Sequence, residues 1–220
     1  MNIVNKMHAK LLIIPVVHSE AEMGSLRNDI SEIIDDAFGR EKRDKHRKDV
    51  FTFWENLKKL LEKSLENIDM ANIRIYQDGI PVGGELGIKL VEEGAKDGIL
   101  NHQIVLSLIR RGAILEKTED PRLLKEEYEI LKEMIGAKTS IEREKLAEKY
   151  KKRLYQLTEE RDRYIAGRIK ESLGEGELGV LFIGTTHDIA SYIPSEINVF
   201  INNFVEADLI RWLEEGAKIK

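Results

Sequence analysis

Five short apolar runs constrain the fold of this chain more than any other feature: KLLIIPVV (Lys10 to Val17), NIRIYQD (Asn72 to Asp78), AILEKTE (Ala113 to Glu119), GVLFIG (Gly179 to Gly184) and INVFINNF (Ile197 to Phe204). Long charged segments with helical spacing separate them. Strands alternating with helices predict an α/β fold with a mixed, largely parallel sheet and flanking helices. The first and fourth runs are continuously apolar, as in strands covered on both faces.

The intervals between the runs read as helices. SLRNDISEIIDDAF is expected to start at Ser25 as an N-cap. Val50, Phe53, Trp54, Leu57, Leu60, Leu61 and Leu65 then form an apolar helical stripe. The mixed-sign run REKRDKHRKD before it reads as a solvated helix face or hinge, with a binding patch as the alternative. DGIPVGGELG reads as a tight turn. The other use of its glycines would be to present backbone N–H groups to an anion at a helix start. Helices to about Gly98 and from Asn101 to Arg111 follow, with Asn101 as an N-cap. A long helical pair, about Pro121 to Ile135 and about Ser140 to Leu173, is inserted before the last strands. The expected organisation is one domain over 1–220 with a helical arm over about 121–173. The arm is a candidate surface for a homodimer.

Composition excludes several classes. There is no cysteine, so disulfides, thiolate metal sites and thiol nucleophiles are absent. Acids outnumber bases by 40 to 35, which argues against a nucleic-acid partner. LLIIPVV is too short to span a membrane and lacks a following cleavage signature, so a strand is expected and a cytoplasmic location with it. Abundant Glu, Lys, Arg and Ile, with three Gln, is a thermophile-like composition. No glycine fingerprint for a nucleotide, no G-x-S-x-G elbow and no H-E-x-x-H helix is present. His8, His46 and His102 sit in ordinary charged or capping contexts.

The informative polar residues follow the strands. The first run delivers His18, then Glu20 and Glu22; the second delivers Asp78 and, past the glycine turn, Glu85. The third delivers Glu119 and Asp120. The fourth ends at Gly184 and delivers His187 and Asp188. In a parallel sheet these share the carboxyl edge, where open α/β sheets bind ligands. Two histidines among carboxylates suit either metal ligation or general acid–base work. A second signal lies on the long helix, where Ala147, Tyr150, Leu154, Leu157, Arg161, Tyr164 and Arg168 form an inward seam. A buried arginine needs a carboxylate or bound anion, and Arg161 is the candidate for one. Arg168 is expected to reach solvent over a packed stem.

These motifs resemble a superfamily: GTTH ending at His187, a histidine after the first strand, and ERDRYIAGRI on the helix before the last strands. It contains the TraB/PrgY pheromone-shutdown proteins, Tiki proteases, haem-uptake ChaN and erythromycin esterase. Glu160, Arg161, Asp162, Ile165 and Ala166 match its E-R-[ND]-x-x-[MI]-A helix. Gly184 and His187 match its second G-x-x-H motif. Glu22 and Glu119 match its intervening acids. The first motif departs from the pattern, with Pro15 where the family has glycine.

The resemblance implies a hydrolase, protease- or esterase-like, acting on a small-molecule or peptide substrate. Catalytic roles would fall to His18, His187, Glu22 and Arg161. A divalent metal (Mn, Co or Zn) would use His18, His187, Glu22 and Glu119; histidine-only chemistry is the competing mechanism. Glu20, Asp78, Glu85, Asp188 and Gly184 would line the ligand site. The alternative function is a non-catalytic protein binding a small anionic ligand in the same pocket.

Overall fold

The computed structural model describes residues 8–16, 31 and 39–215. The expected helix at Ser25, together with His18, Glu20 and Glu22, lies outside them. Five strands form one sheet: β1 (Lys10–Val16), β2 (Ile73–Gln77), β3 (Ile114–Leu115), β4 (Leu178–Gly184) and β5 (Asn198–Ile201). Each falls on one of the apolar runs, β3 on the first residues of its run. Their order is β3-β2-β4-β1-β5, and every pairing is parallel. The helices are α1 (Arg40–Ser64), α2 (Gly84–Lys96), α3 (Leu100–Arg110), α4 (Pro121–Ile135), α5 (Ser140–Ser172) and α6 (Glu206–Glu214). No helix among the described residues is long and apolar enough to cross a membrane.

The pleat sorts the apolar run of β1 onto two faces. Leu12, Ile14 and Val16 pack with Ile75, Val180 and Phe182 against Trp54 and Leu57 of α1, Val105 of α3 and Trp212 of α6. Leu11 and Ile13 pack with Tyr76, Leu181 and Ile183 against Ile165 and Ile169 of α5. The chain first runs across the sheet from β1 through β2 to β3, with α1, α2 and α3 on one face. It then reverses, and α5 covers the opposite face before β4. Reversing direction and changing face together preserves one crossover hand, as parallel units require.

Pro15 sits inside a central strand, where proline is ordinarily excluded. Its neighbour explains the exception. Ile13 accepts from the Asn202 N–H, so alternate residues of β1 turn their backbone groups toward β5. The β1–β5 ladder stops at Ile13 and Ile201. Pro15 lies one repeat further on, where no strand remains to receive an N–H.

Two boundaries differ from the sequence reading. Asn101 is not the N-cap of α3; Ile99 holds that position, after a left-handed Gly98 at φ 87° that turns the chain. The Asn101 side chain instead accepts from the adjacent His102 N–H at 2.9 Å. The third strand is short because AILEKTE bends after Glu116. The Thr118 and Glu119 N–H groups both donate to the Ile80 carbonyl, each at 3.1 Å. The charge run before the apolar stripe is a solvated helix face, the first part of α1, as the first of its two readings had it. The glycine turn is a packing device: a Cβ on Gly83 would stand 2.9 Å from the Lys117 backbone N.

Helix α5 has two halves. A capping box of Thr139 and Glu142 starts it. From Ser140 to Gln156 no residue is buried. That stretch, about 25 Å long at the helical rise, runs beside α4, with Lys149 and Arg153 donating to Glu133 and Glu126. From Leu157 onward α5 packs on the sheet.

Candidate functional site at the carboxyl edge of the sheet

The polar residues after β2, β3 and β4 converge on α5 where it crosses the carboxyl edge. Arg161 is their centre, with its side chain 6% exposed. Its Nη2 donates to Asp78 Oδ1 at 2.7 Å and to Glu119 Oε1 at 2.6 Å. Its Nε donates to Glu119 Oε2 at 3.3 Å, and its Nη1 to Glu127 Oε2 at 2.7 Å. The other oxygen of Asp78 accepts the Gly184 N–H at 3.2 Å, tying the end of β2 to the end of β4. A single cation thus joins loops from two strands with helices α4 and α5.

A second pair lies one residue further along α5. Asp162 Oδ1 stands 2.5 Å from His187 Nδ1, and Asp162 Oδ2 accepts the Asp188 N–H at 2.9 Å. The His187 and Asp162 side chains are 5% and 4% exposed. Both carboxylate oxygens are therefore used to fix the GTTH turn. With Nδ1 bound to Asp162, Nε2 is the imidazole nitrogen left for other work. The turn is tightened further by the His187 N–H donating to the Gly184 carbonyl at 3.1 Å.

The electrostatics follow from the crowding. Burial pushes the Glu119 carboxyl up, and the nearby Asp78 charge pushes the same way. Arg161 and His187 pull it down, and the balance lies at about 7. Burial also opposes the charge on Arg161. Its hydrogen bonds and ion pairs, led by Glu119, outweigh that and hold it above the usual arginine value.

Beside His187 lies a cleft of about 260 Å³. Ile13, Pro15, Ile183, Ile189, Ala190 and Ile201 form its walls, with Gly184, Thr185, His187 and Asp188 at one side. The sheet register explains the grouping. Ile13 is level with Ile201 and Leu181, and Pro15 is level with Ile183.

Among the expected site residues, Asp78, Glu119, Gly184, Arg161 and His187 are brought together. Asp188 is exposed at the rim, where its carboxylate accepts from the Ser191 hydroxyl at 2.7 Å. Glu85 is exposed in the first turn of α2 and joins neither Arg161 nor His187. Arg168 behaves as expected over a packed stem, donating to Glu171. Two residues had no site role assigned from the sequence. Asp162 stood there only as the match to the [ND] position of the E-R-[ND]-x-x-[MI]-A helix. Glu127 is one of several acids in KEEYE on α4, and nothing in that string marks it.

Set against family models, curated proteins and solved structures, the chain finds no match in any of the three. The metal expectation can be weighed on the donors themselves. Glu119 does not fit as a ligand, because both of its oxygens receive N–H groups from Arg161. Among the described residues no group of three or more His, Asp or Glu is placed to hold a metal ion. The other expected ligands, His18 and Glu22, lie outside the described residues.

Proposed function

We propose that the chain is a hydrolase related to the two-histidine superfamily it resembles, with His187 as general base. The observation that carries this reading is the 2.5 Å contact between His187 Nδ1 and Asp162, beside the cleft. A carboxylate on one imidazole nitrogen fixes the tautomer and stabilises the imidazolium that forms during proton transfer. Asp162 is then the positioning residue. Arg161 has the carboxylate partners expected of it: its N–H groups meet Asp78, Glu119 and Glu127, so in this reading it positions those side chains rather than substrate.

In this reading Nε2 of His187 takes a proton from a water molecule as the water oxygen bonds to an acyl carbon. The displaced electron pair moves to the carbonyl oxygen. The Thr185 hydroxyl, on the same wall, donates to that oxygen. Collapse breaks the bond to the leaving group, which receives the proton from Nε2. One water is consumed, and an acid and an alcohol or amine are released.

His187→Ala is expected to abolish turnover of esters or amides, and Asp162→Asn to lower it about a hundredfold or more. Unchanged turnover in His187→Ala would overturn the proposal. Metal content of wild type and His187→Ala is the companion measurement. Stoichiometric Mn, Co or Zn lost in the variant would replace the metal-free mechanism with one using Nε2, His18 and Glu22. A second reading is favoured by the saturation of Arg161: the cluster is a structural lock, and the cleft belongs to a non-catalytic binding protein. Tight binding without turnover of any ester, amide or peptide would select it.

A further inference from the structure

We infer that the group seated beside His187 is a short, neutral aliphatic acyl chain, and that the site rejects anions. This rests on the hydrolase reading for the word acyl, but the cleft itself carries the rest. Its volume of about 260 Å³ corresponds to roughly eight or nine non-hydrogen atoms at the ~30 Å³ that liquid water takes per molecule. That is below the range of ordinary small-molecule pockets, about 300–1,000 Å³, and suits one side group rather than a whole cofactor. Four branched aliphatic side chains, a proline ring and a methyl group form the walls. They offer dispersion contacts and no directed polarity.

The charge pattern decides the second half. Among the described lining residues no lysine or arginine occurs. The acids grouped with Arg161 and His187 are Glu119 and Asp162, both buried, and Asp78 and Glu127, both partly buried, with Asp188 at the rim. Arg161 directs its hydrogen bonds to three of those carboxylates. The nearby Arg163 is exposed and lies over the Tyr192 ring, 5.5 Å from its centroid. An anion in the cleft would face Asp188 on the lining, with the other acids behind it and no lysine or arginine among the described lining residues to offset them, which is an arrangement that disfavours such a ligand. The expected small anionic ligand therefore does not suit this pocket. The same field has a consequence for turnover. Hydrolysis of a neutral acyl group creates a carboxylate in place, and that product is repelled as it forms.

The test uses the full chain and two independent readouts. Neutral p-nitrophenyl esters from acetate to decanoate are compared with p-nitrophenyl adipate, whose free end is a carboxylate. Ligand-observed NMR then follows hexanamide and hexanoate with wild type, His187→Ala and Ile201→Trp. Ile201 is 53% exposed, so the larger ring folds without strain and fills the cleft mouth. Turnover should peak between butyrate and octanoate, with the adipate ester slower by about tenfold or more, the scale of one mismatched group in a pocket. Ile201→Trp should move the peak to shorter chains. Hexanamide should bind wild type more tightly than hexanoate does, should still bind His187→Ala, and should bind Ile201→Trp poorly. Binding of hexanamide without turnover of any ester would sink the hydrolase reading while supporting the neutral aliphatic pocket. Hexanoate binding as well as hexanamide, or a chain-length profile unmoved by Ile201→Trp, would overturn the inference.

Discussion

Helix α5 carries two arginines about two turns apart that make the same kind of contact in opposite surroundings. Arg153, on the arm, donates to Glu126 at 2.6 and 2.7 Å and to Glu160 at 2.7 Å, with a side chain 33% exposed. Arg161, on the sheet edge, donates to Asp78, Glu119 and Glu127 at similar distances while 6% exposed. Distance alone would rank them as equals. Water separates them: around Arg153 it can replace either partner, whereas around Arg161 it has been removed. A buried pair is costly to break because the survivor is left charged and unsolvated. The same hydrogen-bonding chemistry therefore makes a solvated strut in one place and a lock in the other.

Arg161→Met should break the comparison most visibly. It leaves three carboxylates facing one another without a counter-ion. The expected loss at pH 7.5 is about 3–5 kcal/mol by chemical denaturation. The loss should shrink at pH 5, where protonation relieves the repulsion. A loss no larger than that of Arg153→Met would show that water reaches the cluster.

Glu119 offers the next largest effect. Its folded-state value near 7 lies above the ordinary 4.5. The native chain thus binds more protons than the unfolded chain between those values. Stability is fully present below about 4.5 and falls as pH rises toward 7, by up to about 3 kcal/mol for this group. Denaturation midpoints of wild type and Glu119→Gln at pH 5 and pH 8 test this. The variant should lose much of the pH dependence that wild type shows, and equal slopes would remove Glu119 as its source.

How legible was this in the sequence? The strands were, because an uninterrupted apolar run such as GVLFIG has few other fates in a chain rich in charge. The convergence of Asp78, Glu119 and His187 followed from the parallel order, since each lies within four residues of a strand's carboxyl end. Arg161 was legible as a charge on an apolar seam. Its partners were not. Glu127 reaches it only through the pairing of α4 with α5, a contact between residues 34 positions apart. The partnership of Asp162 with His187 was hidden for a local reason. Asp162 sits beside the seam rather than on it, and only the fold of the GTTH turn brings His187 to it.

Asp162→Asn sharpens the contrast at moderate cost. It keeps the shape but replaces an acceptor that both His187 and the Asp188 N–H use. The expected loss is about 1–3 kcal/mol. Nitrogen-detected NMR of His187 supplies the specific readout. Wild type should hold the proton on Nδ1, and the asparagine variant should lose that preference. One unchanged tautomer in both proteins would take the positioning role away from Asp162.

The smallest expected effect belongs to the arm. Arg153→Met removes a fork that joins α4 and α5 across solvent. The carboxylates it leaves behind, Glu126 and Glu160, are 43% and 40% exposed, so water rehydrates them. The expected change is below about 1 kcal/mol and should fade as salt is raised. The informative step is to combine it with Arg161→Met. Arg153 and Arg161 share no partner, because Glu126 and Glu160 serve one while Asp78, Glu119 and Glu127 serve the other. If arm and site are independent, the two losses add within about 0.5 kcal/mol. If they do not add, the spacing between the two clusters matters. Movement of the arm would then be felt at Asp162 and His187, since the same helix carries Arg153, Arg161 and Asp162 in one rigid rod.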